Sequence, residues 1–142
     1  MRALFDANML LALFDPENIH HAPALAWWTA NRESGWASCP LTQNGFVRVI
    51  SGPRYLRPRS FADAMALLSA QIAEPGHVFW PDDVSLADPE IFDHSRLLGP
   101  KQITDAYLLA LAVTNGGRLA TFDHAIPLAA VRGAQERHVA VI

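Results

Sequence analysis

The sequence predicts an α/β fold, a parallel sheet flanked on both faces by helices. Three observations carry that expectation. Short apolar runs alternate with helix-like segments along the whole chain. Two of those runs, Ala3-Leu4-Phe5 and Leu119-Ala120-Thr121-Phe122, lead straight into an acid, Asp6 and Asp123. That is the pattern of a buried parallel strand whose carboxyl end stands at a ligand edge. And 142 residues, 51% of them hydrophobic, are the material of one core, so residues 1–142 are expected to form a single domain.

Residues 2–6 read as the first strand and 8–14 as a short helix stopped by Asp15-Pro16. His20 to Arg32 reads as an amphipathic helix with Ala22, Leu25, Ala26, Trp28 and Thr29 on the buried face. Trp36 to Cys39 is the second strand, stopped by Pro40, and Thr42 is placed to cap a helix from Gln43 to Ile50. A loop over 53–60 holds Arg54, Arg57 and Arg59. Ser60 caps a helix from Phe61 to Ala73, and His77 to Trp80 is the third strand. An acidic loop over 82–88 precedes a helix expected from Pro89 to Leu97. Thr104 is placed to cap an apolar helix from Asp105 to Val113, ended by Asn115-Gly116-Gly117. Residues 118–122 are the fourth strand and His138 to Ile142 a last one.

With 11 basic and 14 acidic residues the net charge is −3, which gives no global attraction to nucleic acid or acidic membrane. The basic charge is local: from Ser34 to Ala62 there are four arginines (Arg48, Arg54, Arg57 and Arg59) and no acid. One cysteine, Cys39, forms no internal disulfide, which suits a reducing cytoplasm. No signal peptide is expected, because Asp6 and Asn8 break the first apolar run, and no run approaches the ~20 residues of a membrane span.

Asp6, Asp105 and Asp123 carry the chemistry. Strand ends and helix starts meet at one edge of a doubly wound sheet, so these three acids are expected to converge. Converging carboxylates repel and raise one another's pKa unless a cation intervenes, and oxygen ligands suit Mg²⁺ or Mn²⁺. Each acid also has a local role open to it: Asp6 as a helix cap, Asp105 at a helix dipole, Asp123 in a turn. Taken together, with the topology aligned, they read as a metal site.

Four segments, Leu4-Phe5-Asp6-Ala7-Asn8, Cys39 to Arg48, Thr104-Asp105-Ala106-Tyr107-Leu108 and Leu119-Ala120-Thr121-Phe122-Asp123, resemble the PIN domain and within it the VapC family of toxins. The resemblance runs in order over nearly the whole chain. It implies a PIN-like α/β/α sandwich with a mostly parallel sheet of strand order 3-2-1-4-5. It also implies a Mg²⁺- or Mn²⁺-dependent endoribonuclease acting on RNA, usually homodimeric and neutralised by a VapB-type antitoxin. Asp6, Asp105 and Asp123 would be catalytic and hold the metal, with Asn8, Gln43 and Thr121 in support, and Arg48, Arg54, Arg57 and Arg59 would hold RNA. One departure stands out. Where the family carries a fourth acid, this chain offers Gln43 or Gly45, depending on how the segment is matched. A weakened PIN module that binds RNA or antitoxin without efficient cleavage is therefore the alternative reading.

Overall fold

In the computed structural model, which describes residues 1–142, five short strands form one sheet. They are β1 (Ala3–Phe5), β2 (Trp36–Ser38), β3 (His77–Phe79), β4 (Arg118–Thr121) and β5 (Val139–Val141). The order is β3-β2-β1-β4-β5, as expected, and every pairing is parallel. Parallel neighbours require crossovers. α1 (Ala7–Phe14) and α2 (His21–Asn31) connect β1 to β2, α3 (Pro40–Ile50) and α4 (Phe61–Ile72) connect β2 to β3, and α5 (Ile103–Thr114) leads into β4. No helix is long and apolar enough to cross a membrane.

Successive residues of a strand face opposite sides of the sheet, and β1 feeds both cores. Ala3 and Phe5 join one apolar cluster with residues of α1 to α4, whereas Leu4 joins a second built on α5. Phe5 is fully buried and packs against three tryptophans, stacked on Trp36 at 5.1 Å between centroids and edge-on to Trp28 at 5.6 Å and Trp27 at 6.2 Å. That capture sets the rotation of α2. Its inward face is His21, Ala24, Trp27 and Trp28, and the expected face is corrected: Leu25 is exposed, as are Ala22, Ala26 and Thr29.

The caps differ from expectation in two places. α3 begins at Pro40, where a missing N–H costs nothing. Cys39 is the cap, and Thr42 closes the box by accepting the Cys39 N–H at 3.1 Å. α5 begins at Ile103 behind a single 3-10 turn (Pro100–Gln102), so Thr104 lies inside the helix. The helix expected over 89–97 does not form; only a 3-10 turn at His94–Arg96 does. The backbone there is taken by tertiary partners: Arg132 N–H donates to Ile91 O, Asp93 N–H donates to Ala130 O, and Phe92 bridges Val131.

The arginine loop is tied down at one end. Asp15, 3% exposed, closes α1 and accepts the Tyr55 hydroxyl at 2.6 Å and the Arg59 guanidinium at 3.1 Å. Burial raises the Asp15 pKa, but the bonds from Tyr55, Glu17 N–H and Arg59 outweigh it and hold the carboxyl below its usual range. Arg57 pairs with Glu17 further out, in water. The two ion pairs therefore differ in value, because exposed pairs contribute little while loss of a buried partner leaves polar groups unsatisfied. Asp15→Ala is expected to cost about 2–3 kcal/mol in urea unfolding, and Arg57→Ala less than about 1 kcal/mol. Equal effects would contradict this account.

Candidate active site at the carboxyl edge of the sheet

The strand order reverses between β1 and β4, the place where open α/β sheets hold ligands. Asp6 follows β1 and Asp123 stands two residues past the end of β4. Asp105 lies in the first turn of α5, whose N-terminus is at the same edge because α5 runs back along the sheet before β4. Residues about a hundred positions apart thus meet through topology alone.

Asp6 is 7% exposed and caps α1, accepting Met9 N–H at 2.7 Å. Burial raises its pKa, opposed by hydrogen bonds from the Thr121 hydroxyl and the Met9 and Asn8 N–H groups, and Asp123 adds repulsion. Thr121 is fully buried, and its hydroxyl oxygen also accepts Asp123 N–H at 3.0 Å. One hydroxyl therefore ties Asp6 to Asp123. Asp123 is exposed and accepts Ala125 N–H at 2.7 Å, a turn contact. Asp105 is half-buried, and its pKa is pushed up to about 6, first by burial and then by a shared hydrogen bond and repulsion from Asp123, with Asp6 adding to it. Asp6 is thus both the cap of α1 and a neighbour of Asp123, and Asp105 feels the charges of both.

As the side chains are arranged, no three acidic, imidazole or thiol groups stand close enough to hold an ion. The donor chemistry nevertheless fits a hard divalent cation. Burial, and after it the neighbouring carboxylates, favour the protonated form of Asp105, and a cation would relieve that repulsion without a proton. The groups that can hold one are Asp105, Asp123 and the part of Asp6 not used in capping.

Asn8 is exposed, and its contribution to Asp6 is a backbone N–H. Gln43 Nε2 donates to Ser38 Oγ at 2.9 Å, which leaves Oε1 without a protein partner, and Ser38 Oγ also meets His77 Nε2 at 2.8 Å. Gly45 is a packing position: a Cβ built there stands 3.1 Å from the Ala7 Cβ, so a larger residue would have to part α1 from α3. Asp82 is exposed in a loop, as expected, and also accepts Leu41 N–H at 3.1 Å in the first turn of α3. Its charge joins burial in pushing Tyr107 up to about 12, and it contributes to raising Cys39, which burial carries to about 11. The signal in the sequence was Asp82 just past β3, close to the start of α3 in a sheet where β2 and β3 are neighbours. Of the four arginines, Arg57 and Arg59 are paired with Glu17 and Asp15, while Arg48 and Arg54 are exposed and have no carboxylate partner.

A parallel five-stranded sheet in this order, with acids at its switch point, is the architecture of a PIN domain, and the PIN-domain family model matches residues 3–132. Similarity to curated proteins is finer. The chain is 54% identical to Ribonuclease VapC44 of Mycobacterium tuberculosis over 142 residues, all of both chains. It is 41% identical to Ribonuclease VapC39 over 137 residues (96% of this chain, 99% of the relative) and 48% identical to Ribonuclease VapC38 over 122 residues (85% and 84%), both from the same organism. The chain belongs to the VapC family of PIN-domain ribonucleases.

The raised carboxyl of Asp105 has a sign that can be checked. Its folded pKa, about 6, lies above the 3.8 of an ordinary Asp, so the metal-free fold binds more protons than the unfolded chain between those values and loses stability as pH rises through them. His77, depressed mainly by burial, acts in the opposite direction but is common to wild type and variant. In EDTA, wild type should therefore lose melting temperature relative to Asp105→Asn on going from about pH 4.5 to about pH 7. A constant difference between the two would mean that neither burial nor the other acids raise the Asp105 pKa.

Proposed function

We propose that this chain, as one PIN domain over residues 1–142, is the toxin of a VapBC-type pair. It is an endoribonuclease that hydrolyses RNA phosphodiesters with Mg²⁺ or Mn²⁺ and is neutralised by a VapB-type antitoxin. The observation that carries the reading is the approach of Asp6, Asp105 and Asp123, from three separate segments, to the switch point of the sheet; burial first, then Asp123 and Asp6, push the Asp105 pKa up to about 6. The ribonuclease names of the full-length relatives support it. Asp6, Asp105 and Asp123 would hold the cation, which supplies Lewis-acid charge to a phosphodiester and lowers the pKa of coordinated water.

The chain's own groups do the rest. Met9 N–H and Thr121 fix the Asp6 carboxylate, and Thr121 and Ala125 N–H fix Asp123. Asp105 holds a proton that a cation must displace, so cation affinity falls as pH drops below about 6. Asn8 and the free oxygen of Gln43 support water near the acids. Arg48, Arg54, Arg57 and Arg59 offset the repulsion between RNA and an acidic chain. Arg48 and Arg54 serve first, because Arg57 and Arg59 must give up carboxylate partners to do so. The buried free thiol of Cys39 suits a cytoplasmic protein. Exposed Ile19, Leu56 and Leu98, each above 80% accessible, suit a homodimer or the antitoxin complex.

The alternative, a PIN module that binds RNA or antitoxin with little cleavage, rests on one feature. Neither Gln43 nor Gly45 supplies a fourth negative charge. A cleavage assay titrated with Mg²⁺ separates the two readings.

Asp6→Asn is expected to abolish cleavage, lowering the rate at least about 100-fold, while the metal-free fold keeps or gains stability through relief of repulsion. Wild-type turnover in Mg²⁺ would remove Asp6 from catalysis. Gln43→Glu is expected to tighten Mn²⁺ binding in calorimetry by adding a fourth charge. Unchanged affinity would place Gln43 outside the metal site.

A further inference from the structure

Two open grooves meet at Arg48. The first, about 550 Å³, lies between α3 and α4 and is lined by Asn44, Val47, Arg48, Phe61, Met65 and Leu68 among others. The second, about 400 Å³, runs on from Arg48 past Gly52 and Pro53 to Arg54 and Tyr55. No acid lines either groove, although the chain as a whole is acidic. Both arginines lack carboxylate partners.

The first groove has two further features. Phe61, the first residue of α4, leaves 69% of its surface in water beside Arg48. An aromatic ring so exposed at the mouth of an apolar groove is costly unless something covers it. Asn44, one turn before Arg48 on α3, is exposed, and its side-chain amide has no hydrogen-bond partner in the protein. That amide offers a donor and an acceptor together, as the edge of a base requires. Gln43 also lines the groove and joins it to Ser38 at the end of β2, so the groove opens from the sheet edge that carries the acids.

We propose that this groove is a nucleotide subsite for single-stranded RNA. An unpaired base lies on the Phe61 ring with its edge toward Asn44, and the flanking phosphates meet Arg48 and Arg54. The inference rests on the ribonuclease reading above and adds to it the residues, Phe61 and Asn44, that take a base. Stacking on an exposed ring combined with arginines along a backbone track is how single strands are held without a fixed sequence, and a base inside a duplex has no free face to give. The groove volume lies in the range of small-ligand sites. An acidic peptide would also satisfy the arginines; the flat exposed ring beside a free amide favours a base, which has both a face to stack and an edge to pair.

The test is fluorescence anisotropy with the full chain in EDTA, so that nothing is cut, using labelled oligouridylate and oligoadenylate of roughly ten nucleotides. Phe61→Ala is expected to weaken both by about 5- to 100-fold, and Phe61→Tyr to restore binding. An oligonucleotide with abasic positions should bind wild type and Phe61→Ala alike. Replacing Arg48 and Arg54 with Ala should flatten the salt dependence. Because Phe61 is exposed, Phe61→Ala should melt as wild type does. If wild type binds and cuts RNA and Phe61→Ala is indistinguishable from it, the subsite is wrong and the nuclease reading stands. If Phe61→Ala loses only an acidic peptide, the groove belongs to a protein partner and the proposal falls. If wild type neither binds nor cuts RNA, the nuclease reading itself falls.

Discussion

The structure turns on one buried carboxylate. Asp6 ends β1, caps α1, and stands at the point where the sheet order reverses. A charge in that position is expensive. The chain meets the cost with donors that the fold would otherwise leave unsatisfied, the N–H groups at the start of α1 and the hydroxyl of Thr121. Because β1 is central, with β2 on one side and β4 on the other, those donors are held from two directions. The same Thr121 oxygen holds the backbone of Asp123, so the local solution for one acid fixes the approach of the next.

Repulsion among these acids is stored in the fold rather than removed from it. No cation contributes at Asp105, and burial first, then Asp123 and Asp6, push its carboxyl up to about 6. A structural ion pair would have moved the pKa the other way, as it does at Asp15, where Tyr55 and Arg59 supply the compensation. The two acids make a useful contrast within one chain. Asp15 is satisfied by the protein and anchors a loop; Asp105 has no compensating cation or donor from the protein.

The arginines divide along the same line. Arg57 and Arg59 are engaged with Glu17 and Asp15 and hold the 51–60 loop against the end of α1. Arg48 and Arg54 remain free on the groove side. Four cations that read as one basic run are therefore two structural and two available.

The sequence by itself determined the sheet. Apolar runs ending in acids, separated by helix-length segments, leave few arrangements in which Asp6, Asp105 and Asp123 do not share an edge, and the strand order followed from the family resemblance. What it could not determine were features set by partners distant in the chain. The helix expected over 89–97 was lost because Ile91 and Asp93 found backbone partners at 130–132. The face of α2 was turned by the ring of Phe5, which takes Trp27 and Trp28 together. Gly45 became a contact with Ala7, and Gln43 became a partner of Ser38, only when α3 packed against α1 and β2. Periodicity records which residues prefer burial. Which of them meet, and which charges are spent on one another, is decided by packing across the sheet.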